Sequence, residues 1–211
     1  MPTRRKFLTL FISSAVLMAL PACSDNKKFQ PLSRSSTVIA LGDSLTFGYG
    51  ADKSADYPSI LSQKTGWKID NMGTNGNTTA DVLNRLDTVI AKKPKLVLLG
   101  IGGNDVLRRV NSSETKNNLV NIINTLKGNN IDVVLIAQPH LSASALFGKA
   151  SDNPVYKEVA KETDIPLLSD VWSDILSDDK LKSDKIHANN AGYAKFADEL
   201  YQYLKQIGYA V

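Results

Sequence analysis

The chain is 211 residues long, 43% hydrophobic and 22% charged, with a formal net charge of +4, one cysteine and two histidines. That length fits one domain with a core of its own, and the composition excludes a disordered chain, a collagen-like repeat and a multi-pass membrane protein. A single cysteine closes no internal disulfide and supplies no thiolate zinc cluster, and two histidines leave little for any metal site. The charge is unevenly placed: Arg4, Arg5 and Lys6 carry +3 of the +4, so residues 23–211 set 22 Lys and Arg against 21 Asp and Glu. A nearly neutral body offers no electrostatic footprint for nucleic acid.

In chain order, the basic residues 4–6 come first, then the apolar run Phe7–Leu20, then Pro21-Ala22-Cys23. A basic start, a 14-residue apolar stretch and a small residue before a cleavage point describe a secretory signal. The run is shorter than the ~20 residues that span a bilayer comfortably. Leu20-Pro21-Ala22-Cys23 resembles the bacterial lipobox, in which the cysteine is acylated and begins the mature chain. An ordinary cleaved signal that happens to contain a cysteine is the plainer alternative. Under the lipobox reading, residues 1–22 are the signal and Cys23 the lipidation site, while 23–36 form a polar tether and 37–211 the domain. Ser24 after the cysteine then implies an outer-membrane lipoprotein facing the periplasm. Thr3-Arg4-Arg5-Lys6-Phe7-Leu8 also resembles a twin-arginine export signal, against which stands a plain basic start.

From Thr37 the pattern alternates. Thr37–Leu41 is a short β-rich run ending at a glycine; Tyr57–Lys64 has helical spacing, and Trp67–Asn71 reads as a second strand. Thr78–Lys92 places Val82, Leu83, Leu86, Val89 and Ile90 at three-and-four spacing, which predicts one amphipathic helix stopped by Pro94. Leu96–Ile101 is a continuous apolar strand, and Leu119–Leu126 a helix ended by Gly128 and Asn129. Ile131–Ala137 is the strongest strand signal. Val155–Glu162 is helical, Ile165–Leu168 a short last strand, and Asn189–Ile207 a closing helix with Tyr193, Phe196, Ala197, Leu200 and Leu204 facing inward. Continuous apolar strands between amphipathic helices predict an α/β fold, a parallel sheet covered on both faces. Open sheets of this kind bind ligands beyond the carboxyl ends of their strands.

Four loops at those ends carry polar residues: Gly42-Asp43-Ser44-Leu45, the stretch Asn71–Thr79 containing Gly76, Gly102-Gly103-Asn104-Asp105, and Asp184-Lys185-Ile186-His187-Ala188-Asn189. A serine hydroxyl becomes a useful nucleophile only when a neighbouring base takes its proton. Near neutral pH only His140 and His187 can be that base. His187 has an acid three residues earlier that can fix its tautomer. His140 follows a strand and reads as a loop or core-edge histidine, with substrate contact as its alternative. The Ser44 and Gly76 backbone N–H groups and the Asn104 side-chain amide form a plausible set of donors for an oxyanion. Thr46 stands where the second glycine of a G-x-S-x-G elbow would be.

Together, in this order, the four blocks resemble the SGNH/GDSL hydrolase family over nearly all of Val38–Leu204. The resemblance implies a three-layer α/β/α sandwich with a mostly five-stranded parallel sheet, the flavodoxin-like SGNH hydrolase fold. It makes Ser44 the nucleophile, Asp184 and His187 its triad partners, and Ser44, Gly76 and Asn104 the oxyanion hole. Gly76 rather than Gly73 is taken as the oxyanion glycine because it directly precedes the Asn-Thr-Thr helix start. The family's last block often reads Asp-Gly-Ile-His-Pro, whereas Lys185 and Ala188 stand here. Asp43 and Asp105 read as turn and helix caps, and Asn75, Asn77, Thr78 and Thr79 as caps of the following helix. Phe47, Tyr49, Leu146 and Phe147 either line an acyl pocket or pack in the core. The implied activity is hydrolysis of carboxylic esters (short or medium acyl esters or lysophospholipids) without metal or organic cofactor, by a monomer. The alternatives are a carbohydrate O-acetyl esterase of the envelope and a silent ligand-binding lipoprotein.

Overall fold

The computed structural model describes residues 28–140 and 150–211. Their apolar runs form five strands: β1 (Thr37–Gly42), β2 (Lys68–Gly73), β3 (Leu96–Gly100), β4 (Asp132–Ile136) and β5 (Leu167–Leu168). Every neighbouring pair is parallel and the order is β2-β1-β3-β4-β5. The chain leaves β1 for one side and returns to the other, so the sheet switches direction between β1 and β3. That is where a doubly wound sheet opens a crevice.

Side chains alternate across the pleat, which divides the core in two. Val38, Ala40, Leu96, Leu98, Val134 and Ile136 pack against helices α2 (Tyr57–Thr65), α8 (Val171–Leu176) and α9 (Asn190–Ile207). Ile39, Leu41, Val97, Leu99, Val133 and Leu135 face α3 (Thr79–Asn84), α4 (Leu86–Ile90), α6 (Ser112–Gly128) and α7 (Val155–Thr163). The first layer is tied by aromatic rings. Trp172 stacks on Phe196 with centroids 3.8 Å apart, and Tyr57 and Tyr193 meet this pair edge-on. Such contacts add roughly 0.5–1.5 kcal/mol each beyond the area they bury. Three α/β/α layers result, as the sequence pattern predicts.

Several local expectations need correction. The helix predicted over Thr78–Lys92 is two helices, broken at Arg85, whose backbone leaves the helical region. Helix α6 starts seven residues before the predicted Leu119, because Asn111 caps it and its first turns are polar and carry no apolar period. Two short helices at strand ends, α1 (Ser44–Phe47) and α5 (Gly103–Leu107), together with α8, lie where no helix was predicted. The closing helix begins at Asn190, with Asn189 as its cap. Finally, residues 28–36 of the expected tether lie on the domain. The Phe29 N–H donates to the Ile207 carbonyl and the Leu32 N–H to the Tyr209 carbonyl, and the Phe29 ring stacks on Tyr209 at 4.4 Å. Cys23 and the expected signal over residues 1–22 lie outside the described residues, as do Leu146 and Phe147. No helix among the described residues is long and apolar enough to cross a membrane.

Candidate active site

Strand β1 delivers the first component. It ends at Gly42, where a Cβ would lie 2.2 Å from the Gly100 carbonyl and 2.3 Å from Thr46 Oγ1, so only glycine lets the chain turn here. Asp43 follows, buried, and its carboxylate accepts the Leu45 N–H at 3.1 Å. It is the cap of α1, the role its sequence predicts, and Ser44 is the first residue of that helix. Burial, with Asp105 nearby, pushes the Asp43 pKa up to about 7.

The second component arrives from the far end of the chain. Asp184 Oδ1 accepts the backbone N–H groups of Ile186 and His187, both at 2.8 Å, which fixes the loop. Asp184 Oδ2 lies 2.7 Å from His187 Nδ1, and His187 Nε2 lies 3.0 Å from Ser44 Oγ. Burial works to raise the Asp184 pKa, but the bonds from His187 and Ile186 outweigh it and hold the carboxyl below its ordinary value. A carboxylate on Nδ1 leaves the Nε2 lone pair facing the serine, the geometry in which an imidazole removes a hydroxyl proton. The Tyr49 ring covers His187 with centroids 4.4 Å apart. Ala188 is fully buried, with its Cβ within 2.9 Å of where a Gly192 Cβ would be, so a small residue suits this close helix entry.

Ser44, Gly76, Asn104 and His187 all line one cleft of about 180 Å³, together with the apolar side chains Leu107 and Leu176. Gly76 has φ +80, a left-handed conformation that glycine adopts without strain, and its carbonyl accepts from Arg108 Nη2 at 2.7 Å. Gly73 instead ends β2 beside the α1 backbone, with Phe47 N 2.1 Å from its Cβ position. Asn104 sits in α5, and its side-chain nitrogen donates to the Asn77 carbonyl at 2.9 Å. One amide hydrogen is thereby held and the other is available to a ligand.

The remaining sequence candidates divide. Thr78 is the cap of α3, in a reciprocal box with Asp81. Thr79, Asn75 and Asn77 are not caps. Thr79 gives its N–H and hydroxyl to buried Asp105, Asn75 lines the cleft, and Asn77 accepts from Arg85. His140 is exposed, its backbone bonded to Ser151, and it is not among the described residues that line the cleft. Tyr49 lines the cleft, whereas Phe47 is half exposed and lies in neither core layer. Arg85 was missed. Its guanidinium donates to the carbonyls of Gly42 at 3.2 Å and Met72 at 2.8 Å and to Asn77 Oδ1 at 3.0 Å, joining the loops that carry Ser44 and Gly76. The available signal was a charge three residues after Val82 and four before Val89, on the face that otherwise points inward.

No group of three or more His, Cys, Asp or Glu side chains among the described residues is placed to hold a metal ion. A family model described as the GDSL-like Lipase/Acylhydrolase family matches residues 40–195. The chain belongs to this family. The GDSL-like chain is 29% identical over 180 residues to the "Thioesterase 1/protease 1/lysophospholipase L1" of Escherichia coli K12, covering 82% of this chain and 85% of that one. It is 27% identical to an arylesterase of Vibrio mimicus over 64% of this chain and 70% of the relative. Among solved structures it resembles AlinE4, described as an SGNH-hydrolase family esterase, at 28% identity and TM-score 0.62, over 82% and 95% of the two chains. The esterase EstA of a Pseudoalteromonas species shares the fold at TM-score 0.70 and 23% identity, over 82% and 98%. As a GDSL-like acylhydrolase, the protein is an ester hydrolase of the SGNH type.

Proposed function

We propose that the protein is a serine esterase in which Ser44 attacks the carbonyl of a carboxylic ester. The single observation that supports this most is the unbroken relay from Asp184 through His187 to Ser44, at 2.7 and 3.0 Å. His187 takes the Ser44 proton as the C–O bond to the serine forms, and returns it to the departing alcohol. Water activated by His187 then releases the acid and restores the serine. The Ser44 and Gly76 N–H groups and the Asn104 amide stabilise the oxyanion. A cleft of about 180 Å³ with apolar walls favours short or medium acyl groups, with lysophospholipids as the longer-chain option of the same reading.

In the same reading the mature chain begins at acylated Cys23 in a bacterial envelope membrane, most simply the outer membrane facing the periplasm. The lipobox supports this, and acyl groups on the Cys23 peptide by mass spectrometry would test it, together with release of the Cys23→Ala protein. The activity test is a panel of chromogenic esters from acetate to palmitate, with lysophospholipid and an O-acetylated sugar beside them. Turnover should collapse in Ser44→Ala and His187→Ala, and a fluorophosphonate should label Ser44. Full turnover in either variant would sink the mechanism, and an unlabelled Ser44 would indicate a silent binder.

A further inference from the structure

Helix α9 runs from the cleft to the opposite end of the sheet. At its start, Asn190 Oδ1 accepts the Asp52 N–H and the Tyr193 hydroxyl donates to the carbonyl of Tyr49, whose ring covers His187. At its finish, the Ile207 carbonyl receives the Phe29 N–H. Its 18 residues span ~27 Å at about 1.5 Å each. The strap of residues 28–36 is therefore fixed at the amino edge of the strands, and the cleft opens beyond the carboxyl edge.

That same amino edge is basic. Helices run antiparallel to the strands, so their last turns gather there and bring Lys161 and Lys205, both exposed. Lysines at helix C-termini also complement the helix dipole, which is sufficient reason for those two. It does not cover Lys68 at the start of β2, Lys93 and Lys95 before β3, or Arg34 on the strap, all exposed. The acids at this edge are largely engaged: Asp70 pairs with Lys92, Asp164 with Lys28 and Glu162 with Lys116, while Asp132 stands at the start of β4.

We infer that the amino-edge face of the sheet docks on the anionic bilayer that carries the anchor, so that the cleft faces away from that bilayer. The inference rests on the proposed acylation of Cys23 and on the esterase reading, whose substrate side it narrows. Cys23 precedes Lys28 by five residues. Fully extended, five residues reach at most ~18 Å. Laying the cleft on the membrane would lift the strap by about the length of α9, beyond that reach. Floor-down, the tether is slack and the cations meet headgroups, each contributing roughly a fivefold factor in binding to an anionic surface. The substrates are then esters presented from the aqueous side, soluble or on a facing polymer, rather than acyl chains resident in the anchoring leaflet.

The test uses the full lipidated chain in vesicles of phosphatidylglycerol and phosphatidylcholine that contain a brominated quencher lipid. A fluorophore is attached at Lys95→Cys on the floor or at Phe47→Cys beside the cleft, the Cys23 sulfur being occupied by its thioether. The floor label should be quenched several-fold more than the cleft label. A second measurement places Lys68→Glu, Lys95→Glu and Lys205→Glu together on the unanchored Cys23→Ala protein. Binding to phosphatidylglycerol vesicles at low salt should weaken by at least about 100-fold, three lost cations giving that much before the repulsion of the added carboxylates, with turnover of a soluble ester unchanged. Acyl-free Cys23, equal quenching of the two labels, or undiminished vesicle binding by the triple variant would each overturn the inference. Neither quenching nor vesicle binding depends on turnover, so a failed soluble-ester assay would count against the hydrolase mechanism alone.

Discussion

The Asn104 side-chain nitrogen, in the cleft that Ser44 also lines, donates to the main-chain carbonyl of Asn77, 2.9 Å away. The bond ties the loop after β3 to the loop after β2 and holds one face of the amide still. A donor fixed before the reaction stabilises developing charge without having to reorganise. Asn104→Ala should therefore lower kcat by about 10²–10³-fold while KM moves only a few-fold, because the ground-state carbonyl gains little from this donor. Steady-state kinetics on a chromogenic acetate ester would check it. A change confined to KM would remove Asn104 from the oxyanion site.

Asp184 is more open than the acid of a deeply buried relay: its side chain is 44% exposed, against 13% for His187. Solvent screens part of its charge. Asp184→Asn retains an oxygen for the Ile186 and His187 N–H groups, so the loop should keep its shape while losing the carboxylate on Nδ1. Turnover should fall between about 10² and 10⁴-fold, the upper value being the loss known when a buried triad acid becomes an amide. Activity within a few-fold of the wild type would mean that the Asp184 charge does not help the histidine.

Arg85 gives the cleft its frame. Acceptors from the end of β1, the end of β2 and the loop after it converge on one guanidinium, and removing it leaves the Gly42 and Met72 carbonyls without that donor. Arg85→Met preserves much of the volume and none of the bonds. It should cost about 1–3 kcal/mol of stability and reduce kcat more than KM, because Ser44 and Gly76 lose their common brace. Arg85→Lys should rescue stability better than rate, since one ammonium cannot reproduce the fork. Urea midpoints and kinetics on the same preparations separate the two effects. Equal losses of rate in both variants without any loss of stability would contradict a bracing role.

What the sequence made legible follows from what its signals encode. Strand runs such as Leu96–Ile101 and helix faces such as Tyr193–Leu204 repeat over many residues, so their burial is written several times over. Three of the four polar blocks were found because a parallel sheet brings every carboxyl end to one edge, whatever the chain separation; the fourth, Asp184–Asn189, follows no strand and reaches that edge as the entry to α9. Arg85 was overlooked and Asn77 misread because each acts on partners distant in sequence, and Asp105, expected to cap a helix start, does so at α3 rather than on its own helix. Asp105 lies 26 residues from Thr79 in the chain, and no periodicity reports such a bond. Helices α1 and α5, of four and five residues, are too short to show a 3.6-residue pattern. The strap escaped notice because Phe29 and Leu32 are two apolar residues in a polar stretch, and only the position of the C-terminus gives them a surface to cover.

Asp105 supports a stability prediction. Its buried carboxylate accepts the Thr79 N–H at 2.9 Å, the Thr79 hydroxyl at 2.5 Å and the Thr115 hydroxyl at 3.3 Å, linking α3, α5 and α6. Asp105→Ala strands these donors away from water and should cost about 2–4 kcal/mol. Asp105→Asn offers one acceptor oxygen in place of two and should fall between. Chemical denaturation of the three proteins would decide the order, and an alanine variant as stable as the wild type would show that the network is dispensable.

Asp43 makes stability depend on pH in an unusual direction for a carboxylate. Burial raises its pKa from 3.8 to about 7 on folding, so between those values the folded chain binds the proton that the unfolded chain has released. Stability rises with pH only where the unfolded state binds more protons, and here the opposite holds. The contribution of Asp43 is thus complete below pH 3.8 and lost as pH climbs through about 7. Asp81 and Asp184, whose pKa values are held low, act in the other sense and at more acidic pH, below the ordinary carboxylate range. Asp152, whose pKa burial also raises, acts in the same sense as Asp43, so the comparison with Asp43→Asn between about pH 5 and 7 is what assigns the Asp43 share. Asp43→Asn keeps an oxygen for the Leu45 N–H and removes the ionisation, so its urea midpoint should vary less across this interval than that of the wild type, which should decline. Parallel curves for the two proteins would assign the pH dependence to another group.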